Sequence, residues 1–329
     1  MSTAGKTLVV LGGSGFIGRQ VVLEAVRAGW RVKALARSED SARVVCESGA
    51  SAFSGEAGSP EDWIHEVEGA DAIFDLLQPR FPKRVGRRQV SEISAKRQSF
   101  TSALVAALST VHQDQRPILI SVSGIDDLAA DKDGYLSDNS TLRTENYGFS
   151  QIGIPVRKVI EQSKVNAAFV YLGTVYGPGK AFADKIFPSV AAGKWKNIGL
   201  GSNHMALIHV EDAARGLVRV AGSKASQIVG KSFVLTDSYP VEMKSFFELV
   251  ATLMGVSAPG RIPRWLASLV AGRPLIETMI CDLPIRSSNL NLSDFQLKYP
   301  SYREGLPVTL KTLGYLPVQR FSRSELTAH

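Results

Sequence analysis

A glycine-rich turn near the start of the sequence constrains the fold more than any other feature. Residues 8–18 read Leu-Val-Val-Leu-Gly-Gly-Ser-Gly-Phe-Ile-Gly, and a helical stretch and a second apolar segment, residues 31–36, follow. A buried strand, a Gly-x-x-Gly-x-x-Gly turn, a helix and a second strand form one βαβ unit. Such a unit predicts a parallel α/β sheet with a phosphate-binding site at a helix N-terminus.

The three glycines of this repeat have separate physical roles. Gly12 permits the reversal from strand to helix, and Gly15 leaves the backbone open to a pyrophosphate. Gly18, at which we expect the helix to begin, allows close packing against the strand. The turn therefore predicts a dinucleotide-binding site. Its candidate contacts are the turn itself and the end of the fourth predicted strand: Gly12, Gly13, Ser14, Gly15, Phe16, Ile17, Gly18, Leu77 and Gln78.

The end of the second strand indicates which dinucleotide is bound. The strand closes on Arg37 and Ser38. An acidic residue there would hydrogen-bond a ribose 2′-hydroxyl, whereas a cation and a hydroxyl suit a 2′-phosphate. The sequence thus favours NADP, with NAD as the alternative. The competing interpretation is that Arg37 is only a solvated charge at the end of a strand.

Composition excludes several classes of protein. The 329 residues are 44% hydrophobic, which allows one large domain or a domain with a smaller lobe. The first strand begins almost at once, and no apolar run approaches the roughly 18 residues of a spanning helix. We expect a cytoplasmic protein with no membrane partner. Because Cys46 and Cys281 lie far apart and the histidines show no ligand spacing, we expect no disulfide and no metal.

The remaining pattern predicts a Rossmann-type doubly wound parallel sheet. Apolar strands are predicted at 50–54, 70–77, 117–123 and 167–172, with helical stretches between them, one of which is a short helix at 61–68. A loop is predicted at 173–179, directly after the last of these strands. Residues 1–180 form the predicted dinucleotide-binding domain. Residues 181–329 are predicted to form mainly a smaller substrate-binding lobe, with some segments returning to the sheet.

Two segments of the second half give more specific expectations. Strands near Ile198 and Ile208 are expected to pair with each other. The apolar stretch 261–273 has basic ends and is too short to span a bilayer. We expect this stretch to pack against the substrate cleft rather than to attach to a membrane.

A basic stretch lies between Arg80 and Arg97. It holds seven cations, and Glu92 is the one acid among them. It lacks the interleaved aromatic residues of a nucleic-acid-binding surface, so we expect no nucleic-acid partner. Two interpretations stay open: a solvated helix face, or cations that hold the anionic part of a small-molecule substrate.

Four motifs carry a resemblance to a known family. They are Gly12-x-x-Gly15-x-x-Gly18, Val175-Tyr-Gly-Pro-Gly179, Ile208-His-Val-Glu-Asp-Ala-Ala214 and Lys298-Tyr-Pro-Ser-Tyr-Arg-Glu-Gly305. In this order they resemble the extended, epimerase/dehydratase-type branch of the short-chain dehydrogenase/reductase superfamily. The resemblance implies a nicotinamide cofactor across the strand ends and a substrate between two lobes, and it is compatible with a homodimer.

The resemblance also implies catalytic positions. That family uses a serine, a tyrosine and a lysine four residues after the tyrosine. Here Ser123 and Tyr147 match the first two, but Gln151 stands at the lysine position, and an uncharged amide cannot lower the pKa of a phenol electrostatically. Arg157 and Lys158, further along the same predicted helix, are candidates to replace that charge.

A second tyrosine–lysine pair has the same spacing. It is Tyr176 and Lys180, but proline and two glycines lie between them. Such a segment forms a loop and not the shared helix face that the catalytic pair needs. We therefore expect no catalytic role for this second pair.

These observations favour an atypical NADP-dependent oxidoreductase of carbonyl reductase or alcohol dehydrogenase type. Tyr147 would exchange the proton and Ser123 would hold the substrate oxygen. A nucleotide sugar is disfavoured because residues 205–207 read Met-Ala-Leu where such family members carry an arginine. A small, mainly apolar substrate is expected. Two alternatives remain: a nucleotide-binding isomerase, cyclase or dehydratase without net redox chemistry, and a cofactor-binding scaffold that has lost catalysis.

Overall fold

A parallel sheet of seven strands forms the centre of the protein. The computed structural model describes residues 3, 5–79, 81–180, 182–237, 239–286 and 295–316. The strands are β1 (Thr7–Leu11), β2 (Arg31–Ala36), β3 (Ser51–Ser54), β4 (Ala72–Asp75), β5 (Ile118–Gly124), β6 (Ala167–Leu172), β7 (Thr174–Tyr176), β8 (Lys196–Ile198), β9 (His204–Met205), β10 (Leu207–His209), β11 (Ser232–Leu235), β12 (Val241–Glu242) and β13 (Gly260–Ile262). The α-helices are α1 (Phe16–Arg27), α2 (Glu39–Glu47), α3 (Arg87–Thr110), α4 (Ser150–Glu161), α5 (Phe187–Ala191), α6 (Val210–Ala221), α7 (Ala225–Ile228), α8 (Met243–Leu253), α9 (Arg264–Ala271), α10 (Arg273–Met279) and α11 (Tyr302–Thr312).

The strand order creates a cleft. The order is β11-β6-β5-β4-β1-β2-β3, and every neighbouring pair is parallel. The chain winds in one direction from β1 to β3 and in the other from β4 outwards, so the switch point lies between β1 and β4. Connections leave opposite faces of the sheet at such a point, and ligands bind at the carboxyl ends of the strands there. The predicted Rossmann-type fold is confirmed.

The strands are apolar on both faces because helices cover both. Leu8 and Val10 of β1 belong to a core cluster that includes Leu217 of α6, whereas Val9 and Leu11 belong to a second cluster on the other face. This alternation follows from the two-residue period of a strand. One face is covered by α1 and α6 and the other by α3 and α4.

Three predictions of local structure are wrong. The segment 61–68 forms two short 3₁₀ turns, Pro60–Asp62 and Ile64–Glu66, instead of a helix. The strands near Ile198 and Ile208 do not pair with each other: β8 pairs with β13, and β10 pairs with β7. Residues 174–176, predicted as part of a loop, supply that partner strand. Pairings between distant segments leave no periodic signal in the sequence, which is why the expected pairing failed.

The second half of the chain contributes both to the sheet and to a separate core. Strand β11 extends the central sheet and α6 packs on α1, as expected for segments that return to the sheet. A third apolar cluster joins α8 and α11 and contains Phe246, Phe247 and Leu306. The division at residue 180 stays a prediction.

Helix α9 differs from expectation in its exposure. Of its eight residues only Ala267 is buried, and Trp265, Leu269 and Val270 are exposed large apolar side chains. The expected packing of this segment against the substrate cleft stays a prediction. Within the described ranges, no helix has the length and apolar character needed to cross a membrane.

Candidate functional site

A cleft of about 690 Å³ opens at the carboxyl ends of β1, β2, β4 and β5. Its walls come from the glycine turn, the segment after β4 and the loop after β7. The residues from the sequence prediction that line it are Gly12, Ser14, Gly15, Phe16, Ile17, Gly18, Arg37, Leu77 and Gln78. The structure thus brings most of the predicted cofactor contacts to one surface.

The glycine turn is shaped by close contacts. Gly12 has a φ of 89°, and a Cβ there would lie 2.9 Å from the carbonyl oxygen of Leu76. A Cβ at Gly18 would overlap the carbonyl oxygen of Gly12, so the helix packs directly on the turn. Helix α1 begins at Phe16, with Gly15 as its N-cap, which is earlier than the predicted start at Gly18.

This helix end is suited to an anion. The N-cap Gly15 provides no side-chain hydrogen bond, and the first turn of α1 contains no acidic residue. The first N–H groups of a helix lack intrahelical acceptors, so they remain available to a phosphate.

Two predicted contacts lie away from the cleft surface. A Cβ at Gly13 would lie 2.9 Å from the Cβ of Ala34, so this glycine lets the turn pack against β2. The Ser38 hydroxyl caps α2 by accepting a hydrogen bond from the N–H of Ser41 at 3.3 Å. Ser41 itself lines the cleft. Sequence reasoning missed it because a serine in the first turn of a helix is typical of capping.

The charges around the cleft are mainly positive. Arg19, Arg37 and Lys180 line it, and Glu56 is the acidic residue among the described lining. The Lys180 ammonium donates a hydrogen bond to Oε1 of Gln78 at 2.7 Å, and burial lowers the pKa of this amine. Lys180 also has a φ of 54°, which an L-residue adopts at some cost. This lysine had been given no role in the sequence prediction, because it lies in a glycine-rich loop.

Tyr176, which precedes Lys180 by four residues, is a core residue. It is fully buried, and the centre of its ring lies 5.3 Å from the centre of the His209 ring. Burial raises the pKa of its phenol. A Cβ at Gly305 would overlap the Tyr176 hydroxyl. Tyr176 therefore packs where the family motifs at residues 208–214 and 298–305 meet. Tyr176 lies in the core, whereas Lys180 lines the cleft. The absence of a shared catalytic role stays a prediction.

Ser123 lies at the end of β5 and is hydrogen-bonded to a buried acid. Its hydroxyl donates to Oδ2 of Asp127 at 2.5 Å. Burial raises the pKa of Asp127 well above the usual range, and the neighbouring Asp126 raises it further. Gly153 of α4 leaves room for this pair, since a Cβ there would overlap both side chains.

Tyr147 lies in the loop before α4 and is half-buried. Burial, the Cys281 thiol and the Glu277 carboxylate raise the pKa of its phenol, while Arg143 and Arg264 lower it. The guanidinium of Arg143 lies 5.6 Å from the centre of the ring. Arg143 was missed by the sequence prediction, because it falls in a loop without periodicity or motif.

Arg143 connects Tyr147 to the segment that holds Ser123. Its backbone N–H donates to the carbonyl oxygen of Asp127 at 2.8 Å, and its Nε donates to that of Asp126 at 3.0 Å. One arginine thus fixes the tyrosine loop to the segment after β5.

Gln151 does not face the cofactor cleft. Gly148 has a φ of 50° and α4 begins only at Ser150, so Tyr147 and Gln151 do not share a helix face. The Gln151 side-chain amide donates to the carbonyl oxygen of Gly148 at 2.9 Å. A second cavity, of about 330 Å³, is lined by Arg87, Asn146, Gln151, Arg273, Pro274 and Glu277.

The suggested replacement of the missing lysine by Arg157 is wrong. Arg157 lies against Phe169 and donates to the hydroxyls of Tyr171 and Ser232 at 2.7 and 2.8 Å. It also pairs with Glu161. The cations that act on Tyr147 are Arg143 and Arg264.

The basic stretch divides among several roles. Arg97 pairs with the buried Asp75 at 2.7 Å and is structural, and Arg88 pairs with Glu92 on the surface of α3. Arg87 lines the second cavity. Arg80, the first residue of the stretch, lies outside the described residues. No group of three potential metal ligands occurs in the part of the chain that the structure describes.

Comparison with known proteins places the chain in a family. The sequence model of the NAD dependent epimerase/dehydratase family matches residues 8–235, which is more than half of the chain. The chain belongs to that family. A sterol-4-alpha-carboxylate 3-dehydrogenase, decarboxylating, of Dictyostelium discoideum is 24% identical to this epimerase/dehydratase-family protein over 255 residues, 74% of each chain.

Two further comparisons agree with this assignment. A 4-hydroxy-2-methyl-3-oxo-4-farnesyl-3,4-dihydroquinoline-1-oxide ketoreductase of Stigmatella aurantiaca is 25% identical over 264 residues, 77% of this chain and 75% of the relative. The structure of the human epimerase family protein SDR39U1 with NADPH superposes with a TM-score of 0.75 at 17% identity and covers 93% of this chain and 99% of that one. The chain is thus similar in sequence to a dehydrogenase and a ketoreductase, and similar in fold to an epimerase family protein solved with NADPH.

Proposed function

We propose that the protein is an NADP-dependent oxidoreductase that interconverts a carbonyl and an alcohol on a small, mainly apolar substrate. The observation that carries this proposal is the cleft at the β1–β4 switch point, with its glycine turn and its three cations. A nicotinamide bound there would exchange a hydride with the substrate carbon. NAD remains the alternative cofactor.

The chain's own groups account for the expected cofactor contacts. The N-terminus of α1 would hold the pyrophosphate, and Arg37 at the end of β2 would hold a 2′-phosphate. Lys180, on the opposite side of the glycine turn from β2, would hold a second anionic or polar part of the cofactor. Its neighbour Gly179 supports this placement, since a Cβ there would lie 3.0 Å from the Phe16 ring.

Tyr147 is suited to give a proton rather than to take one. A phenol whose pKa is raised stays protonated at neutral pH. In carbonyl reduction, a bound reduced nicotinamide would supply the hydride to the carbonyl carbon, and the Tyr147 hydroxyl would give its proton to the substrate oxygen. Arg143 and Arg264 limit the cost of the resulting phenolate, which solvent then reprotonates. In this role Tyr147 is the proton donor of carbonyl reduction.

Asp127 would prepare Ser123 for the substrate oxygen. The Ser123 hydroxyl donates to Asp127 in the structure. A carboxyl group whose pKa is raised by burial retains its proton more readily, and in its protonated form Asp127 would instead donate to the Ser123 oxygen. The Ser123 hydrogen is then free to point to the substrate oxygen. Asp127 would act as a positioning residue, because its contact is with Ser123.

The apolar substrate is supported by two observations. The Tyr147 ring packs against an apolar cluster that contains Leu128 and Leu283. The names of the two relatives describe a sterol and a farnesyl quinoline oxide, and both are largely apolar molecules.

A second candidate is a nucleotide-binding isomerase or dehydratase without net redox chemistry. The position of Gln151 outside the cleft favours it, because the lysine that the family uses has no direct replacement there. In this case the cofactor would bind but would not be consumed.

The test separates binding from chemistry. NADPH fluorescence should change on mixing with the protein, and a panel of apolar ketones should then consume NADPH. Tyr147→Phe should abolish consumption and leave NADPH binding intact. Tyr135→Phe is the matched control, because Tyr135 also lies under an arginine, Arg286, at 4.8 Å. Binding without consumption by any ketone would favour the second candidate, and failure to bind either NADPH or NADH would refute both.

A further inference from the structure

Helix α9 presents an apolar surface to solvent. Its side chains Trp265, Leu269 and Val270 are 70, 60 and 67% exposed. Trp265 and Leu269 are four residues apart and so lie on one side of the helix. Single exposed apolar residues are ordinary, but three large ones on an eight-residue helix indicate a contact surface.

Cations surround this surface. Arg261 precedes the helix and Arg264 begins it, and neither has an ion-pair partner among the described residues. No acidic residue occurs between positions 249 and 276. We call Arg261, Arg264, Trp265, Leu269 and Val270 the α9 patch.

A second basic segment adjoins the C-terminal end of α9. The N–H of Val85 donates to the carbonyl oxygen of Ala271 at 2.9 Å. A Cβ at Gly272 would overlap the carbonyl of Val85, so the two segments are in direct contact. Lys83 and Arg84, both exposed, immediately precede this contact. The apolar side chains are therefore bordered by positive charge at both ends of the helix.

The α9 patch lies beside the candidate active site. Arg264 is one of the cations that lower the pKa of Tyr147, against the larger effect of burial. Helix α10, which follows after Gly272, holds the residues before α4: Glu277 accepts from the N–H of Gly148 at 3.2 Å, and Thr278 accepts from that of Phe149 at 2.8 Å.

We propose that the α9 patch docks on the surface of a membrane rich in anionic phospholipid. Tryptophan and leucine insert at the boundary between headgroups and acyl chains, and arginines contact the lipid phosphates. The helix is too short to span a bilayer, so the protein would lie on the membrane. A second copy of the chain is a poorer occupant, because a two-fold contact would bring the arginines of both copies together. This proposal departs from the expectation that the protein has no membrane partner.

Docking would also place the active site close to apolar molecules dissolved in the bilayer. This last step rests on the proposed function, whereas docking itself does not. The docking experiment uses neither cofactor nor substrate, so its failure is distinct from failure of the proposed oxidoreductase activity.

Trp265 is a built-in reporter for docking. Trp30 and Trp63 are buried and Trp195 is partly buried, so Trp265 is the exposed tryptophan of the four. The full-length protein is mixed with vesicles of phosphatidylcholine alone or with phosphatidylglycerol added. We expect co-sedimentation and a blue shift of the emission with phosphatidylglycerol vesicles, both of them reduced at high salt. Lipids brominated near the headgroup should quench this emission.

Three variants identify the surface. Leu269→Ser with Val270→Ser should lower the partition coefficient about tenfold or more, because both apolar side chains are lost from the interface. Arg261→Gln with Arg264→Gln should lower binding to anionic vesicles and weaken its salt dependence, with the remaining dependence due to Lys83 and Arg84. Val308→Ser, which replaces an exposed apolar residue of α11, is the matched control and should bind like the wild type. Circular dichroism confirms that each variant is folded.

Two results would overturn the proposal. One is equal binding of the wild type and the Leu269→Ser, Val270→Ser variant to anionic vesicles. The other is a wild-type dimer in light scattering that does not bind vesicles and becomes monomeric in this variant, which would show that the patch holds a second copy.

Discussion

Replacing Arg37 by glutamine should remove the proposed preference for NADPH over NADH. Arg37 follows the last residue of β2, lines the cofactor cleft and has no ion-pair partner within the described ranges. The neighbouring hydroxyl of Ser38 caps α2, so it is already occupied. The guanidinium is therefore the main group at this strand end that can bind a 2′-phosphate.

The size of the effect follows from the exposure of the side chain. Hydrogen bonds to charged groups contribute about 1.5–3 kcal/mol, and an exposed pair belongs at the lower end of this range. We expect a loss of about 1.5 kcal/mol for NADPH, which is about a tenfold rise in its Kd. NADH lacks the phosphate, so its Kd should change less than about twofold.

The assay is a fluorescence titration of both reduced cofactors against the wild type and Arg37→Gln at one ionic strength. Arg43→Gln is the matched control, because Arg43 lies on α2, pairs with Asp40 at 2.7 Å and does not line the cleft. A ratio of NADPH to NADH affinity that is the same in the wild type and Arg37→Gln would refute the assignment of the 2′-phosphate site.

Three other perturbations have defined outcomes. Lys180→Met should weaken NADPH and NADH equally, by about five- to tenfold, because its ammonium lies apart from the end of β2; a selective loss of NADPH would instead place it at the 2′-phosphate. Asp127→Ala should lower kcat for ketone reduction about tenfold or more with little change in NADPH binding, since it acts through Ser123; an unchanged kcat would refute its positioning role. Burial raises the pKa of Asp237 to about 8, so the folded state binds this proton more tightly than the unfolded state does. The contribution of Asp237 to the free energy of unfolding therefore falls as the pH rises from about 4 to 8. Chemical denaturation at pH 5 and 8 should show that Asp237→Asn reduces this fall, and an unchanged fall would show that Asp237 does not titrate as expected.

Features encoded by neighbouring residues could be predicted from the sequence. The glycine turn and the residues before it specify a strand, a tight reversal and a helix within 11 residues. The strand β1 was therefore correctly predicted, and the turn lines the cleft at its end. The burial of β1 on both faces agrees with the buried strand predicted from its continuous apolar run. Boundaries were less accurate: α1 begins before Gly18, because the last glycine is needed for packing within the first turn and not to start the helix.

Features that depend on distant contacts could not be predicted. Arg143 reaches Tyr147 only because the loop after β5 folds back on the carbonyl oxygens of Asp126 and Asp127. The interruption before α4 depends on Gly148, where a Cβ would overlap the Thr278 hydroxyl. That contact joins residues 130 positions apart, and no local periodicity records it.

Helix α10 has a consequence for how this protein can diversify. Its residues Glu277 and Thr278 hold the backbone of Gly148 and Phe149, immediately after Tyr147. In a two-lobed enzyme, specificity can evolve by exchange of the substrate lobe while the nucleotide-binding half keeps its chemistry. Here the second half of the chain holds the backbone next to Tyr147, the proposed proton donor, so substitutions in α10 should also displace Tyr147. Under the proposed function, a change of substrate specificity through α10 would therefore also change proton transfer.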